Sequence, residues 1–115
     1  MSTIKVDTIQ DTSGNEQFTA KAWVNFNGTG TVAIRDSGNV SSITDHGTGQ
    51  YSVSYTSSLT DANYAMSGFG VGTSRSYVCN KDPAAAPTTS TVRVATLSPS
   101  VSVKDDSNAN VMVMR

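Results

Sequence analysis

The sequence has little of the residues that build most metal and catalytic centres. It contains one cysteine, Cys79, and one histidine, His46, in 115 residues. A single cysteine excludes an intramolecular disulfide. One cysteine and one histidine are also too few ligands for a His/Cys metal site. A free thiol is also more typical of a reducing cytoplasm than of a secreted protein. We therefore expect no metal, no cofactor and no disulfide framework.

Good helix formers are equally scarce. Glutamate occurs once and leucine twice, while serine, threonine, asparagine and glycine fill most polar positions. These residues are poor helix formers, because the side chains of Ser, Thr and Asn compete for backbone hydrogen bonds in turns. Disorder is the alternative for such a polar chain. Short alternating groups of Val, Ile, Tyr and Phe favour a folded, all-β domain instead.

Neither sign of charge dominates, and no long apolar run is present. Eight basic and nine acidic residues give a formal net charge of −1, and the basic residues are scattered singly. Nucleic-acid binding rests on clustered Lys and Arg, so we predict no nucleic-acid partner. No segment approaches the length of a membrane span, and the N-terminus lacks the apolar run of a signal peptide. We expect neither membrane insertion nor secretion.

The length predicts one domain. A chain of this size buries roughly 65% of the surface that its unfolded form exposes, which suffices for one thin core. We divide the chain into an N-terminal strand or arm over residues 1–17 and a single domain over residues 18–115.

Period-two alternation predicts the strands. Alternate residues from Phe18 to Phe26 are apolar, which predicts a strand whose even positions face a core. Asn27–Gly30 and Asp45–Gly49 lie between β-prone runs and predict hairpin turns, since Asn and Gly tolerate positive φ. Prolines place residues 82–87 in a loop. The remaining strands are predicted at Thr31–Arg35, Val40–Ile43, Tyr51–Tyr55, Tyr64–Met66, Tyr77–Val78, Thr91–Ala95, Val101–Val103 and Val111–Met114. About seven or eight strands with regular turns predict a small antiparallel β-sandwich or barrel.

Three segments resemble functional motifs, but their surroundings favour structural roles. Gly68–Gly72 resembles half of a dinucleotide fingerprint, yet no helix follows it, so bends in a strand are favoured. Asp11–Glu16 lacks the alternating carboxylates of a calcium loop and predicts an Asp-initiated turn. His46 lies beside Asp45 at a predicted hairpin tip, where turn geometry sets the residue types. We expect no catalytic residue.

The closing strand is apolar on both faces. Val111 and Val113 point one way, and Met112 and Met114 point the other. Such a strand needs cover on both sides, from a neighbouring subunit or from a central position in a closed sandwich. A short strand predicted at Ile4–Val6 raises the same question. The candidate interface residues are Ile4, Val6, Met112 and Met114.

Several segments resemble tail-fibre and related virion proteins of cyanobacterial and other marine bacteriophages. The resemblance covers residues 3–66, although Leu59-Thr60 stands where that family commonly carries Met-Pro. The segments that carry it are Ile4–Gln10, Lys21–Gly30, Arg35–Asp45 and Asp61–Ala65.

The resemblance implies a structural subunit of a virion, not an enzyme, assembled in the cytoplasm of a bacterial host. The fibres that it resembles are trimers, so the implied partners are two further copies, other virion proteins and host surface polysaccharide. Hydroxyl and amide groups bond sugars, and aromatic rings stack on them. The aromatic candidates for such a site are Trp23, Tyr64 and Tyr77, with core or interface packing as the alternative role.

Two other functions compete with a tail-fibre module. The first is a capsid decoration or cement protein without a receptor site, which the sequence does not separate from a fibre. The second is a depolymerising enzyme. That enzyme would need paired carboxylates in a cleft, and the single Glu and turn-located Asp residues disfavour it.

Overall fold

The computed structural model describes residues 2–71, 76–98, 100 and 102–115, with residues 76–78 described by their backbone alone. Throughout these ranges the regular structure is β-strand, with no helix long and apolar enough to cross a membrane. The strands are β1 (Ala20–Asn27), β2 (Ala33–Gly38), β3 (Val40–Gly47), β4 (Gln50–Tyr55), β5 (Ala65–Val71), β6 (Ser76–Lys81), β7 (Thr91–Leu97) and β8 (Ala109–Met114). The predicted all-β class is confirmed.

The strands of the described chain form one hydrogen-bonded ladder in the order β2-β1-β8-β5-β6-β7-β4-β3. Every neighbouring pair is antiparallel. Strands β2 and β3 stand at opposite ends of the ladder, although only Asn39 separates them in sequence. Asn39 has a φ of 55°, and its side chain donates to the Lys21 carbonyl and accepts from the Ser57 amide. A ladder whose two ends meet at one residue must curl over on itself.

The curled ladder encloses a core between its two halves. Phe26 of β1 meets Tyr51 of β4 edge to face, with ring centroids 5.1 Å apart, although four strands lie between them in the ladder. This geometry is the favoured one for aromatic pairs. The small antiparallel β-sandwich is therefore as predicted, and the homotrimer stays a prediction.

Alternation along four strands supplies the core. In β1 the buried side chains are Ala22, Val24 and Phe26. Strands β4 and β8 bury every second residue in the same way: Tyr51, Val53, Tyr55, Ala109, Val111 and Val113. Strand β7 follows the pattern at Val92 and Val94, after which Ala95 and Thr96 are buried as well. Period-two burial is what half-buried strands require, because successive side chains point to opposite faces.

The predicted inward position of Phe18 is wrong. The strand begins at Ala20, and its pairing with β8 shifts register between Ala20 and Ala22. This irregularity ends the alternation, so Phe18 is exposed. A one-residue slip sends a side chain to the other face.

Both predicted hairpins are present, but Gly28 is needed for a reason that the sequence did not indicate. Strands β1 and β2 pair around Gly28–Val32, and β3 and β4 pair around Gly47–Gln50. A Cβ at Gly28 would lie 2.6 Å from the Tyr51 ring carbon that bears the hydroxyl. The glycine is thus required by close approach of the core tyrosine and not by a positive φ.

Two short predicted strands are absent from the described residues. Residues 2–9 form no strand around Ile4 and Val6. Val103 makes one isolated bridge to Leu97, while Val101 lies outside the described residues. A strand needs several successive residues that pair with a neighbouring strand, and the described residues of these two segments do not provide them.

Candidate interaction surface

Strands β1, β8 and β5 lie side by side and turn alternate side chains away from the core. Their register places Trp23 opposite Met112, and Met112 opposite Ser67. The next outward row follows two residues further along. We call the two rows the outer face: Trp23, Asn25, Ser67, Phe69, Asn110 and Met112.

The outer face presents large apolar side chains to solvent. Phe69 is 60% exposed, Met112 45% and Trp23 41%. Strand β8 is central in the ladder, and its valines are buried as a central strand requires. Its methionine side lacks the second layer of cover that a two-sided apolar strand needs.

A shallow hollow of about 290 Å³ opens on the outer face. Its lining carries no charged side chain and consists of Trp23, Ser67, Phe69, Asn110, Val111 and Met112. Apolar walls with a few polar groups are typical of sites that accept apolar or aromatic groups. The hollow therefore suits an apolar side chain better than an ion.

Asparagine amides border the hollow. The Asn25 side-chain amide lies 2.5 Å from the Asn110 side-chain oxygen and 2.6 Å from that of Asn108, and donates to both. These bonds fix the polar side of the outer face. Because they join residues more than 80 positions apart in sequence, they also link β1 to β8 beyond the backbone ladder.

Before β1 the chain forms an arm, residues 2–19, which extends two residues beyond the predicted boundary at residue 17. Asp11 starts its turn as predicted, because the Asp11 carboxylate accepts from the Ser13 and Asn15 amides. The Asn15 amide groups also hold the pKa of Asp11 below its ordinary value. The backbone then returns, with the Gln17 amide donating to the Ile9 carbonyl at 2.7 Å.

Most of the apolar side chains of the arm remain in solvent. Ile4 is 86% exposed, and Val6, Ile9 and Phe18 are also exposed. The arm and the sheet end at Arg115 border a hollow of about 110 Å³, whose accessible lining is mainly polar. The contact of the arm with its own domain therefore leaves its apolar groups uncovered.

The four candidate interface residues fall in two places. Met112 is on the outer face, and Met114 is half-buried further along the same strand. Ile4 and Val6 are on the exposed arm. Their role in an interface stays a prediction.

Of the three aromatic candidates for ligand binding, only Trp23 is described at the surface. Tyr64 is 3% exposed, and its hydroxyl lies 3.0 Å from the Thr88 carbonyl oxygen. A ring packed against Tyr55 in the core cannot stack on a sugar, so the prediction for Tyr64 is wrong. The side chain of Tyr77 lies outside the described residues.

Sequence reasoning missed Phe69 as a member of this surface. The segment Gly68–Gly72 suggested bends in a strand. In the structure Gly68 and Gly70 turn inward and Phe69 turns outward. The alternation of glycine with larger residues in this segment could have indicated it, because glycines on the inner face place the large side chains on the outer face.

The remaining polar groups show local structural roles. His46 Nε2 lies 2.7 Å from Ser52 Oγ on the exposed β3–β4 surface, while the Asp45 carboxylate accepts from the Gly47 amide and does not orient the histidine. Within the described ranges, no cluster of three or more His, Cys, Asp or Glu could hold a metal.

Cys79 is buried next to the core. Burial, with a further contribution from the Asp106 carboxylate, raises the pKa of its thiol to about 12. The thiolate is the reactive form of cysteine, so this thiol is unreactive at neutral pH.

Comparisons of the chain with protein-family models, with curated proteins and with solved structures each give no match.

Proposed function

We propose that this chain is a structural subunit of a bacteriophage virion, a tail-fibre or tail-associated module that assembles as a homotrimer. The resemblance of residues 3–66 to phage fibre proteins supports this function. The observation that carries it is the outer face, where Trp23, Phe69 and Met112 are exposed together on three neighbouring strands.

Contiguous apolar surface of this kind is typical of protein contacts. Aromatic residues and Met are enriched at interfaces, and charged residues are depleted at interface cores. The outer face has this composition, with a rim of asparagine and serine. A subunit packed on it would supply the cover that the methionine side of β8 needs.

Light scattering on the purified chain tests the assembly. We expect a mass three times the 12.0 kDa of one chain at micromolar concentration. Met112→Asp should lower this mass while keeping the β-sheet circular dichroism, because burying an unpaired carboxylate in an interface costs several kcal/mol. Thr44→Asp, at an exposed position of β3, is the matched control and should stay trimeric. A stable monomeric wild type would contradict the proposed trimer.

Immunogold electron microscopy tests the location. Antibodies raised against the purified chain should decorate the tails or fibres of phage particles that carry its gene. Label confined to the capsid would favour the decoration protein. Particles without label would contradict a virion subunit altogether.

Contact with host glycans is a second candidate, which the proximity of the Asn110 amide to the Trp23 and Phe69 rings favours. Amides bond sugar hydroxyls, and aromatic faces stack on sugar rings. A glycan array with wild type and Trp23→Ala decides this use. Equal binding of both proteins, or none, would remove Trp23 from a receptor site. A subunit packed on the outer face would compete for the same side chains.

A further inference from the structure

We infer that the occupant of the outer face is the N-terminal arm of a second copy of this chain. The inference rests on the proposed self-assembly and names the segment that makes the contact. Two uncovered apolar surfaces occur in the described chain, and each has what the other lacks. The arm has apolar side chains that its own domain leaves exposed, and the outer face has an apolar hollow that its own domain leaves open.

The alternation of the arm suits this contact. When Ile4–Asp7 is extended, Ile4 and Val6 point to one side and Lys5 and Asp7 to the other. The first pair can enter the uncharged hollow, and the second pair then stays in water. An arm with charges on both sides would have to bury one of them, which is costly.

The area suits a small contact that is repeated around a ring. A fully buried aliphatic side chain removes roughly 60–120 Å² of apolar surface, and an aromatic one about 200 Å². Weighted by their exposure, Ile4, Val6 and the apolar side chains of the outer face, with the neighbouring Val71, amount to on the order of 450 Å². Interfaces are about 57% non-polar, so each contact corresponds to roughly 800 Å² in total, which is small for a stable interface, and a ring of three copies would bury three such contacts.

The arm of the same chain is held elsewhere. Residues 6–9 and 16–19 lie beside Lys21 and Arg115, at the end of the sheet where Ala20 pairs with Met114. The hollow begins at Trp23 and extends away from that end, towards Phe69. Beyond the hydrogen bond between Gln17 and Ile9, residues 2–8 extend up to about 25 Å, which allows Ile4 and Val6 to reach a neighbouring copy.

The symmetry agrees with a ring. A contact between two different surfaces, an arm on one copy and a face on the next, is heterologous. Such a contact closes into a ring when the rotation between copies permits. Three copies joined in this way would cover all three outer faces.

Matched double variants test the contact. Ile4→Ser with Val6→Ser should raise the concentration at which the trimer dissociates at least about tenfold, since anchor side chains each contribute appreciably to binding. Lys5→Ser with Asp7→Ser changes the same stretch on its other side and should leave dissociation unchanged. Equal behaviour of the two variants would overturn the inference.

Cross-linking identifies the occupant directly. In the variant Ile4→Cys with Phe69→Cys, mild oxidation should give a covalent trimer on a non-reducing gel, whereas Ile4→Cys with Thr44→Cys should not. Buried Cys79 does not compete. A cross-linked monomer would assign the hollow to the arm of the same chain and overturn the inference. A trimer by light scattering without cross-linking would overturn it and leave the proposed subunit role intact, while a monomeric wild type would end both the trimer and the arm contact.

Discussion

The indole of Trp23 occupies the space in which a side chain at Gly38 would stand. The two residues are direct cross-strand partners in β1 and β2. A Cβ at Gly38 would lie 2.8 Å from the Trp23 Cδ1 atom, which is closer than carbon atoms approach. The glycine thus sets the position of the largest side chain of the outer face.

Gly38→Ala should therefore displace the indole. We expect destabilisation of about 1–3 kcal/mol, the usual cost of overpacking. We also expect a shift in the fluorescence of the single tryptophan. Urea unfolding followed by fluorescence measures both. Ser37→Ala, one residue away on the same strand, is the control, and a Gly38→Ala protein that matches it in both measurements would contradict this packing.

Two buried tyrosines should respond oppositely to loss of the hydroxyl. The Tyr51 hydroxyl lies 2.9 Å from the Gly28 carbonyl oxygen and from the Asp105 carboxylate. Tyr51→Phe should cost about 1–3 kcal/mol, because the buried Gly28 carbonyl and the Asp105 carboxylate share this one O–H donor and both lose it. The buried Tyr55 hydroxyl lies near the Tyr64 hydroxyl but makes no hydrogen bond of ordinary geometry among the described residues. Tyr55→Phe should be neutral or stabilising in the same thermal melts, and an equal loss in both would contradict the assigned bonds.

His46→Ala should change the fold little. Surface substitutions away from special backbone positions usually fall within about ±0.5 kcal/mol. Gly49→Ala should be worse by about 1 kcal/mol or more, because Gly49 has a φ of 68° and a Cβ would lie 2.6 Å from the Lys104 amide nitrogen. Thermal melts compare the two, with polysaccharide degradation assayed alongside. Loss of a wild-type activity in His46→Ala with an unchanged melt would show an active site.

The exposed pair of Asp61 and Arg115 gives a pH dependence. The Arg115 guanidinium, 2.6 Å away, lowers the pKa of Asp61 from 3.8 to about 2. Because this folded-state pKa is lowered, the stabilisation is present above about 3.8 and is lost as the pH falls through about 2. Arg115→Ala should move the Asp61 midpoint upward in an NMR carboxyl titration. The titration midpoint of Asp11, whose pKa is lowered by Asn15, should stay unchanged in the same variant.

The local parts of this fold could be predicted from the sequence. Alternation from Ala22 to Phe26 predicted side chains that enter the core, and the residues of Asn27–Gly30 and Asp45–Gly49 predicted both hairpins. Asp11 predicted its turn. These features depend on residues a few positions apart, whose backbone preferences and side-chain directions act without the rest of the chain.

The tertiary structure decided which strands became neighbours, and this pairing decided which side chains are exposed on the outer face. Val111–Met114 is apolar on both sides, and only its position between β1 and β5 separates a buried valine side from an exposed methionine side. The same pairing brings Phe69 beside Asn110, from segments far apart in sequence. Tyr64 is buried because β7 and its preceding loop supply carbonyl partners for its hydroxyl. The sequence determined the strands, because period-two patterns are local. Their pairing across the ladder determined the outer face, because burial depends on non-local neighbours.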